Sequence, residues 1–375
     1  MQSQRSLFDI PGDVTYLNAA YLGPRLKSVD AAGRRALERT ARPWEIFPED
    51  FFSDAEVARD RFAALVGGDA DGVALVPAVS YGIALAAKNV PIPRGKNVVV
   101  LDEQFPSNVY EWRDAAARAG GSLVTVPRPP DHDWTREVLE RIDDRTAVVA
   151  VPNCHWTDGT VVDLARVGEA ARSAGAALVV DATQSLGVRP LDVRVVQPDW
   201  LVVAGYKWML GPFTLGYCWV APHRREGEPL ERNWLTRAGA EDFTGLVRYT
   251  DDFAPGARRY DMGERPNFHV LPMGIAALEQ LLDWGVRSSE EYIGTLTDAL
   301  AEGAESLGWD VAPRAARSRH MLGLRRPDGI PEKLPALLKD ANVYVSVRGT
   351  SIRVSPHVYN SPADVARLLE VLDAV

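Results

Sequence analysis

Two short apolar runs within residues 178–210 constrain the fold of this chain more than any other feature. Residues 178–180 and 201–204 are each too short for a helix, and polar residues follow both runs. We interpret them as buried strands of an open α/β sheet, in which ligands bind beyond the carboxyl ends of the strands. Asp181 follows the first run and Lys207 follows the second. A carboxylate and an amine are therefore predicted at one edge of a sheet.

The apolar pattern around these two runs predicts the rest of a large domain. Short strands and helical spacing alternate, which is typical of a mainly parallel sheet with helices on both faces. The predicted strands are residues 73–76, 98–101, 123–126, 147–151 and 215–220. The predicted helices are residues 27–40, 83–88, 163–175 and 273–284, with an amphipathic helix between the strands at 123–126 and 147–151.

A second, smaller domain is predicted toward the C-terminus. A chain of 375 residues is too long for one simple core. Residues 343–349 and 351–355 alternate in polarity as the two strands of a hairpin do, and a final helix follows them. We predict an N-terminal segment at residues 1–24, a large domain at 25–265 and a small α+β domain at 266–375.

The residues around Asp181 and Lys207 carry a family resemblance. Asp181, Gln184, an intervening strand, Tyr206 and Lys207 follow the order Asp-x-x-Gln, strand, aromatic or His, Lys. This pattern resembles the class V aminotransferase family of pyridoxal phosphate enzymes, which includes cysteine desulfurases, kynureninases and isopenicillin N epimerase-like proteins. Pyridoxal phosphate needs a lysine that holds it as an imine and an acid under its ring nitrogen. The resemblance implies a fold-type I α/β protein with Lys207 and Asp181 as its catalytic residues.

The resemblance also implies further contacts to the cofactor. Val79 and Ser80 lie in a turn that opens a helix, where free N–H groups form a seat for phosphate. Phe105 takes the place of the residue that stacks on the cofactor ring. Gln184 is expected to hydrogen-bond the ring hydroxyl oxygen, and Tyr206 to bind the phosphate. Read without the resemblance, Ser80 is a simple helix cap and Phe105 a core residue.

Four residues are expected at the substrate. The segment YLNAAYLGP resembles the family's opening, which lies over the active site, so Asn18 and Ala19 are predicted to touch the substrate. Arg353 matches the arginine that holds the substrate α-carboxylate by two parallel hydrogen bonds. His155 is a possible acid or base because its ordinary pKa lies near neutrality. A strand arginine in solvent and a histidine that only orients a loop are the plainer alternatives.

One motif departs from the family's pattern. Relatives carry a threonine that reaches the phosphate of the partner subunit, but this chain has Glu264 and Arg265 there. A carboxylate repels phosphate, so Arg265 or the Asn267 amide is the better candidate for the contact with the partner's phosphate. The resemblance implies a homodimer whose sites are completed across a two-fold interface.

The reaction type is less constrained than the cofactor. The family's desulfurases use a cysteine shortly before the carboxylate-binding arginine, and residues 344–352 contain none. A persulfide-forming desulfurase is therefore disfavoured. Transamination of an amino acid or related amine is our first prediction. A lyase of the kynureninase or carbon–sulfur type and an epimerase are the alternatives.

Composition excludes several other classes of protein. A net charge of −9 argues against a general nucleic-acid binder, because phosphate contacts need a basic face. Two cysteines form no disulfide framework, no apolar run reaches about 20 residues, and the N-terminus has no apolar signal core. We expect a cytoplasmic protein that binds neither membrane nor metal. A nicotinamide-binding sheet would need Gly-x-Gly-x-x-Gly after its first strand, which is missing. A non-catalytic module on a degenerate fold is the remaining alternative.

Overall fold

Thirteen strands and eleven α-helices make up the computed structural model, which describes residues 1–375. The strands are β1 (Thr15–Tyr16), β2 (Val73–Val76), β3 (Asn97–Leu101), β4 (Ser122–Val126), β5 (Thr146–Pro152), β6 (Ala177–Asp181), β7 (Trp200–Ala204), β8 (Gly216–Val220), β9 (Asp310–Val311), β10 (Leu322–Arg325), β11 (Val343–Tyr344), β12 (Ser346–Arg348) and β13 (Ser351–Val354). The helices are α1 (Lys27–Thr40), α2 (Ser53–Val66), α3 (Val79–Asn89), α4 (Tyr110–Arg118), α5 (Trp134–Leu139), α6 (Leu164–Ser173), α7 (Val193–Val196), α8 (Leu271–Trp284), α9 (Val286–Ser306), α10 (Leu334–Asp340) and α11 (Pro362–Asp373).

A seven-stranded sheet in the order β2-β8-β7-β6-β5-β3-β4 carries the candidate site. Only β8 runs antiparallel to its neighbours, and the other neighbouring pairs are parallel. All seven predicted strands are present with ends within one residue of the prediction, so the mainly parallel sheet is confirmed. Apolar residues of α2, α6 and α8 cover one face, and those of α3 and α4 cover the other.

Helix α3 begins earlier than the sequence predicts. The turn expected at residues 77–82 is largely the first turn of this helix, which starts at Val79. Gly82 allows this start because a Cβ there would lie 2.5 Å from Cγ1 of Val202 in β7. The missing side chain brings the amino end of α3 down onto the sheet, beside the strand that leads to Lys207.

The small domain is a four-stranded antiparallel sheet in the order β12-β13-β10-β9, packed against α9, α10 and α11. The predicted single strand at residues 343–349 is wrong. It is split into β11, which pairs in parallel with β1, and β12, which pairs with β13. The N-terminal segment supplies the extra partner strand, and no local sequence signal marks such a distant pairing. Strands β9 and β10 and helices α2, α4, α7, α9 and α10 were not predicted.

The domain boundary at residue 265 stays a prediction. Helix α8, which follows it, places Leu271, Leu278 and Leu281 in the core beneath the large sheet. The core of the small domain contains no residue of α8. It begins with Leu296 of α9 and also contains Leu17 of the N-terminal segment. Packing therefore joins the first residues of the chain to its last domain.

A buried ion cluster ties the strand β2 to the segment before α8. The Asp261 carboxylate pairs with the guanidinium groups of Arg59 and Arg265, and its Oδ1 accepts a hydrogen bond from the N–H of Leu75 at 2.9 Å. The Arg59 and Asp261 side chains have no exposed surface, and Arg265 has almost none. Asp261 thus pairs with two buried cations, of which Arg59 also contacts the Glu56 carboxylate at 3.0 Å.

We predict that Asp261→Asn destabilises the protein by about 3–5 kcal/mol, because it leaves the buried Arg265 without its counter-charge and removes one of the two carboxylates that pair with Arg59. Urea unfolding of the variant and the parent measures the change. Asp242→Asn is the matched control: its pair with Arg248 is exposed, so a loss below about 1 kcal/mol is expected. Equal losses in the two variants would contradict the assigned role of the cluster.

Candidate active site

A cavity of about 250 Å³ lies at the carboxyl edge of the seven-stranded sheet. The ends of β2, β5, β6 and β7 open into it, as the sheet topology predicts for a ligand site. All seven predicted cofactor residues line this cavity. They are Val79, Ser80, Phe105, Asp181, Gln184, Tyr206 and Lys207.

Asp181 and Lys207 are both buried in the wall of this cavity, each about 7% exposed. Burial raises the pKa of Asp181. The N–H of Thr183 opposes this shift because it donates a hydrogen bond to Oδ1 at 3.0 Å. Burial lowers the pKa of Lys207 to about 8, against the opposing charge of Asp181, and the charges of Arg353 and Arg348 lower it further. The amine is therefore close to the balance between its neutral and charged forms at neutral pH.

The amino end of α3 forms a second wall. The helix begins at Val79 with no side-chain cap, so the N–H groups of its first turn have no partner within the helix. Ser80 adds an exposed hydroxyl beside them. Free N–H groups and the positive end of the helix dipole favour an anion, which suits the phosphate assigned to this turn from the sequence.

Aromatic rings form the remaining sides of the cavity. Phe105 packs edge-on against Trp156 at 5.5 Å between ring centroids, and Tyr206 packs against Phe213 at 4.4 Å. The Nζ of Lys207 lies 5.3 Å from the Phe105 centroid. Trp156 and Phe213 belong to the cavity but were not predicted, because aromatic residues in loops carry no local signal that separates them from packing residues.

The N-terminal segment reaches the cavity through Gln184. The Gln184 Nε2 donates to the carbonyl of Ala20 at 3.2 Å, and its Oε1 accepts from Trp208 Nε1 at 2.9 Å. One Nε2 hydrogen remains for a ligand. A Cβ on Gly23 would lie 2.1 Å from the carbonyl oxygen of Lys207, so only glycine lets the segment cross there.

Asn18 and Ala19 lie in this segment but line no part of the cavity described above. The Asn18 Oδ1 accepts a hydrogen bond from Ser346 Oγ at 2.8 Å. The N–H of Ala19 donates to the carbonyl of Ser355 at 3.0 Å. Both residues connect the N-terminal segment to the strand region that carries Arg353.

His155 lies outside the cavity although both of its neighbours, Cys154 and Trp156, line it. Its ring is buried and stacks on Trp134 at 5.2 Å. Nδ1 contacts the Thr157 hydroxyl at 2.8 Å, and Nε2 contacts the Asp102 carbonyl at 3.1 Å. Burial lowers the pKa of His155. The ring holds the loop in place and is not positioned to exchange protons with a ligand.

Arg353 of β13 is about 1% exposed and forms no ion pair. Its Nη1 donates to the carbonyl of Trp156 at 2.7 Å, while Nε and Nη2 are buried without partners. Burial lowers the pKa of Arg353, and the nearby charge of Arg348 acts in the same direction. Arg353 does not itself line the cavity, but a buried guanidinium with two unused donors is able to bind an anion, since its desolvation is otherwise uncompensated.

Arg265 and Asn267 have other partners in the structure. Arg265 is held by Asp261 in the buried cluster, and Asn267 Oδ1 accepts from the N–H of Val270 at 3.2 Å at the start of α8. Neither side chain lines the cavity of its own chain. No group of three or more His, Cys, Asp or Glu side chains is placed to hold a metal ion, and no helix is long and apolar enough to cross a membrane.

The model of the family "Aminotransferase class-V" matches residues 45–368. The chain is 28% identical to an uncharacterized aminotransferase, YcbU, of Bacillus subtilis over 85% of this chain and 83% of that protein. It is 25% identical to isopenicillin N epimerase of Streptomyces clavuligerus over 85% and 83% of the two chains. It is 26% identical to a kynureninase of Deinococcus radiodurans over 81% and 74%.

Solved structures share the fold at lower identity. A cysteine desulfurase from Thermococcus onnurineus superposes with a TM-score of 0.83 at 19% identity, covering 100% of this chain and 98% of that one. A C-DES variant with glycine covalently linked to its PLP cofactor has a TM-score of 0.88 at 18% identity over 99% of both chains. The chain described here belongs to the class V aminotransferase family of fold-type I, pyridoxal phosphate-dependent enzymes.

The residues of the cavity fit this cofactor. An acid buried at a strand end, an amine near its balance point and an uncapped helix start provide partners for a ring nitrogen, an aldehyde carbon and a phosphate. The confirmed predictions are the family, the fold and the cofactor. The roles of individual residues stay predictions.

We predict that the apoprotein captures pyridoxal phosphate with a rate that rises with pH and levels off above about 8, because only the neutral Lys207 amine is nucleophilic. Stopped-flow absorbance of the cofactor band measures this rate. Asp181→Asn removes the charge that raises the pKa of Lys207, so its midpoint should move to lower pH. A midpoint near 10.5, the ordinary value for lysine, would contradict the burial argument.

Proposed function

We propose that this chain is an aminotransferase that acts on an amino acid, with Lys207 as its catalytic base and Asp181 as the partner of the cofactor ring nitrogen. One observation carries the proposal. Apart from Asp181, which this proposal assigns to the cofactor ring nitrogen, Lys207 is the one titratable group of the cavity lining whose pKa is shifted toward neutrality, because burial raises the pKa values of Tyr206 and Cys154, the latter to about 12. A transamination half-reaction needs one group that takes up and releases a proton, and Lys207 is that group.

When bound, pyridoxal phosphate supplies an electron-withdrawing ring that stabilises the negative charge left after a proton leaves the substrate Cα. The chain's residues do the rest. Asp181 would accept a hydrogen bond from the protonated ring nitrogen, and the first turn of α3 with Ser80 would hold the phosphate. Gln184 would donate its remaining Nε2 hydrogen to the ring hydroxyl oxygen, Tyr206 would support the phosphate, and Phe105 would cover the ring and exclude water.

Arg353 binds the α-carboxylate of the substrate in this proposal. Its Nε and Nη2 are buried without partners, so a carboxylate that accepts from both compensates their desolvation. Asn18 and Ala19 act next to it, because Asn18 bonds Ser346 and Ser346 pairs with Arg353 across the β12–β13 ladder. We do not include His155, whose two ring nitrogens already have partners.

Two alternative reactions have less support. A persulfide-forming desulfurase needs a thiolate, and both cysteines are buried with pKa values raised by burial. An epimerase that works with two bases needs a second proton carrier besides Lys207 and Asp181, and burial raises the pKa values of the other titratable groups of the cavity lining, Tyr206 and Cys154. The second candidate is a lyase, because elimination also uses a single base and a cystine C–S lyase shares this fold with a TM-score of 0.86.

Absorption spectra during single-turnover mixing with a panel of amino acids test the proposed reaction. The band of the lysine-bound cofactor should disappear as the amine form of the cofactor and one equivalent of 2-oxo acid accumulate. Lys207→Ala should show no such lysine-bound band. If the parent's band returns unchanged while ammonia, a thiol or an aromatic amine accumulates, the enzyme is a lyase.

We predict that Arg353→Gln lowers kcat/KM for an amino acid about 100-fold, because a buried charge-assisted contact to the α-carboxylate is lost. The amine that lacks this carboxylate is the control substrate, and its already low rate should change less than threefold. Steady-state kinetics with both substrates measures the difference. Equal losses for both would assign Arg353 to folding of the small domain.

We further propose that the enzyme works as a homodimer in the cytoplasm. Phe213, which lines the cavity, is exposed, and Tyr21, Trp44 and Phe47 are also exposed large apolar side chains, at 53–72% for the four. A second copy of the chain would cover them. Sedimentation of the purified protein tests the assembly.

A further inference from the structure

A second arginine lies beside Arg353 without an acidic partner. Arg348 of β12 forms no ion pair, its Nη1 donates to the carbonyl of Val347 at 2.7 Å, and its Nε is buried without a partner. Its guanidinium lies 5.7 Å from the ring centroid of Trp156, which lines the cavity. Arg353 contacts the same tryptophan through its carbonyl. Two guanidinium groups therefore converge on one residue of the cavity wall.

The strand register places both arginines on one face of the small sheet. Ser346 pairs with Arg353 and Arg348 pairs with Ser351, so Arg348 is the diagonal neighbour of Arg353. Paired residues point to the same side of a sheet, as do residues two apart along one strand. Diagonal neighbours are about 7–8 Å apart, a distance that long side chains span easily. The two groups can thus bind two anions of a single small molecule.

The charges around this pair are strongly unbalanced. The groups that act on Arg353 are Arg348, Cys154 and Tyr16, and none is a carboxylate. Asp181 is the acid that acts on Lys207, and it is reserved for the cofactor ring in the proposed function. One α-carboxylate would neutralise only one of the two guanidinium groups. Arg348 is half-buried and has no acidic partner, so its guanidinium is free to pair with a second anion.

We propose that Arg348 binds a carboxylate on the substrate side chain, so that the preferred substrate is an acidic amino acid. This inference rests on the proposed function, because it requires the α-carboxylate to occupy Arg353. Trp156 separates and orients the two guanidinium groups, one through its ring and one through its carbonyl. Arg348 is then a specificity-determining residue.

Binding of unreactive acids to the holoenzyme tests the proposal without turnover. Succinate and butyrate form one pair of equal chain length, and glutarate and pentanoate form another. Isothermal titration calorimetry should give a Kd about 10- to 100-fold lower for the better dicarboxylate than for its monocarboxylate, as expected for one added charge-assisted contact. Equal affinities within both pairs would overturn the proposal.

Arg348→Gln should bring the ratio of the two Kd values close to one. Arg326→Gln is the matched control, because Arg326 also packs over a tryptophan, Trp309, at 5.1 Å, but away from the cavity. This control should keep the parent's ratio. A preserved ratio in Arg348→Gln would assign the second anion to another group and overturn the role of Arg348. The parent's ratio decides the substrate class even if Arg348→Gln fails to fold.

Failure of this inference is separable from failure of the proposed reaction. A protein that prefers dicarboxylates but transfers no amino group to any 2-oxo acid keeps the paired-arginine site and loses transamination. A protein that transaminates neutral amino acids and binds both acid types equally keeps the reaction and loses the acidic substrate.

Discussion

Burial of one amine and one carboxylate at the same sheet edge is the constraint on which the site depends. Asp181 and Lys207 end neighbouring strands, and the desolvation of each shifts its pKa toward neutrality from opposite sides. In open water both groups would have their ordinary pKa values. The cavity around Asp181 and Lys207 is closed by the N-terminal segment, the aromatic side chains and the start of α3. Other residues hold these three parts in place.

The second constraint is the junction between the two sheets. Asp158 follows β5 of the large sheet and pairs with Arg128 at 2.5 Å and with Arg325 of β10 at 3.0 Å. Arg325 in turn donates to the hydroxyl of Ser351, at the start of the strand that carries Arg353. The carbonyl of Trp156 receives Arg353 directly. Arg353 is thus positioned by contacts with the large domain, although it belongs to the small one.

The large domain was predictable because its information is local. The sequence has seven buried apolar runs that are each too short for a helix and that alternate with segments of helical spacing. This pattern is sufficient to predict a mainly parallel sheet. The small domain was less predictable, because β11 and β12 take their partners from β1 and β13, hundreds of residues apart in the first case. Helix α2 was missed since three of its five buried apolar residues are alanines, which give a weak periodic signal.

The sequence by itself determined the family, the cofactor and the positions of Asp181 and Lys207, because the order of residues at strand ends is a linear pattern. Only the tertiary structure decided which neighbours are available for chemistry. It places His155 outside the cavity with partners for both ring nitrogens. It leaves Arg353 and Arg348 without acidic partners and with buried donor groups that make no hydrogen bond. The physical reason is that burial and hydrogen-bond partners arise from contacts between distant segments, and these determine whether a polar group is already satisfied or still able to bind.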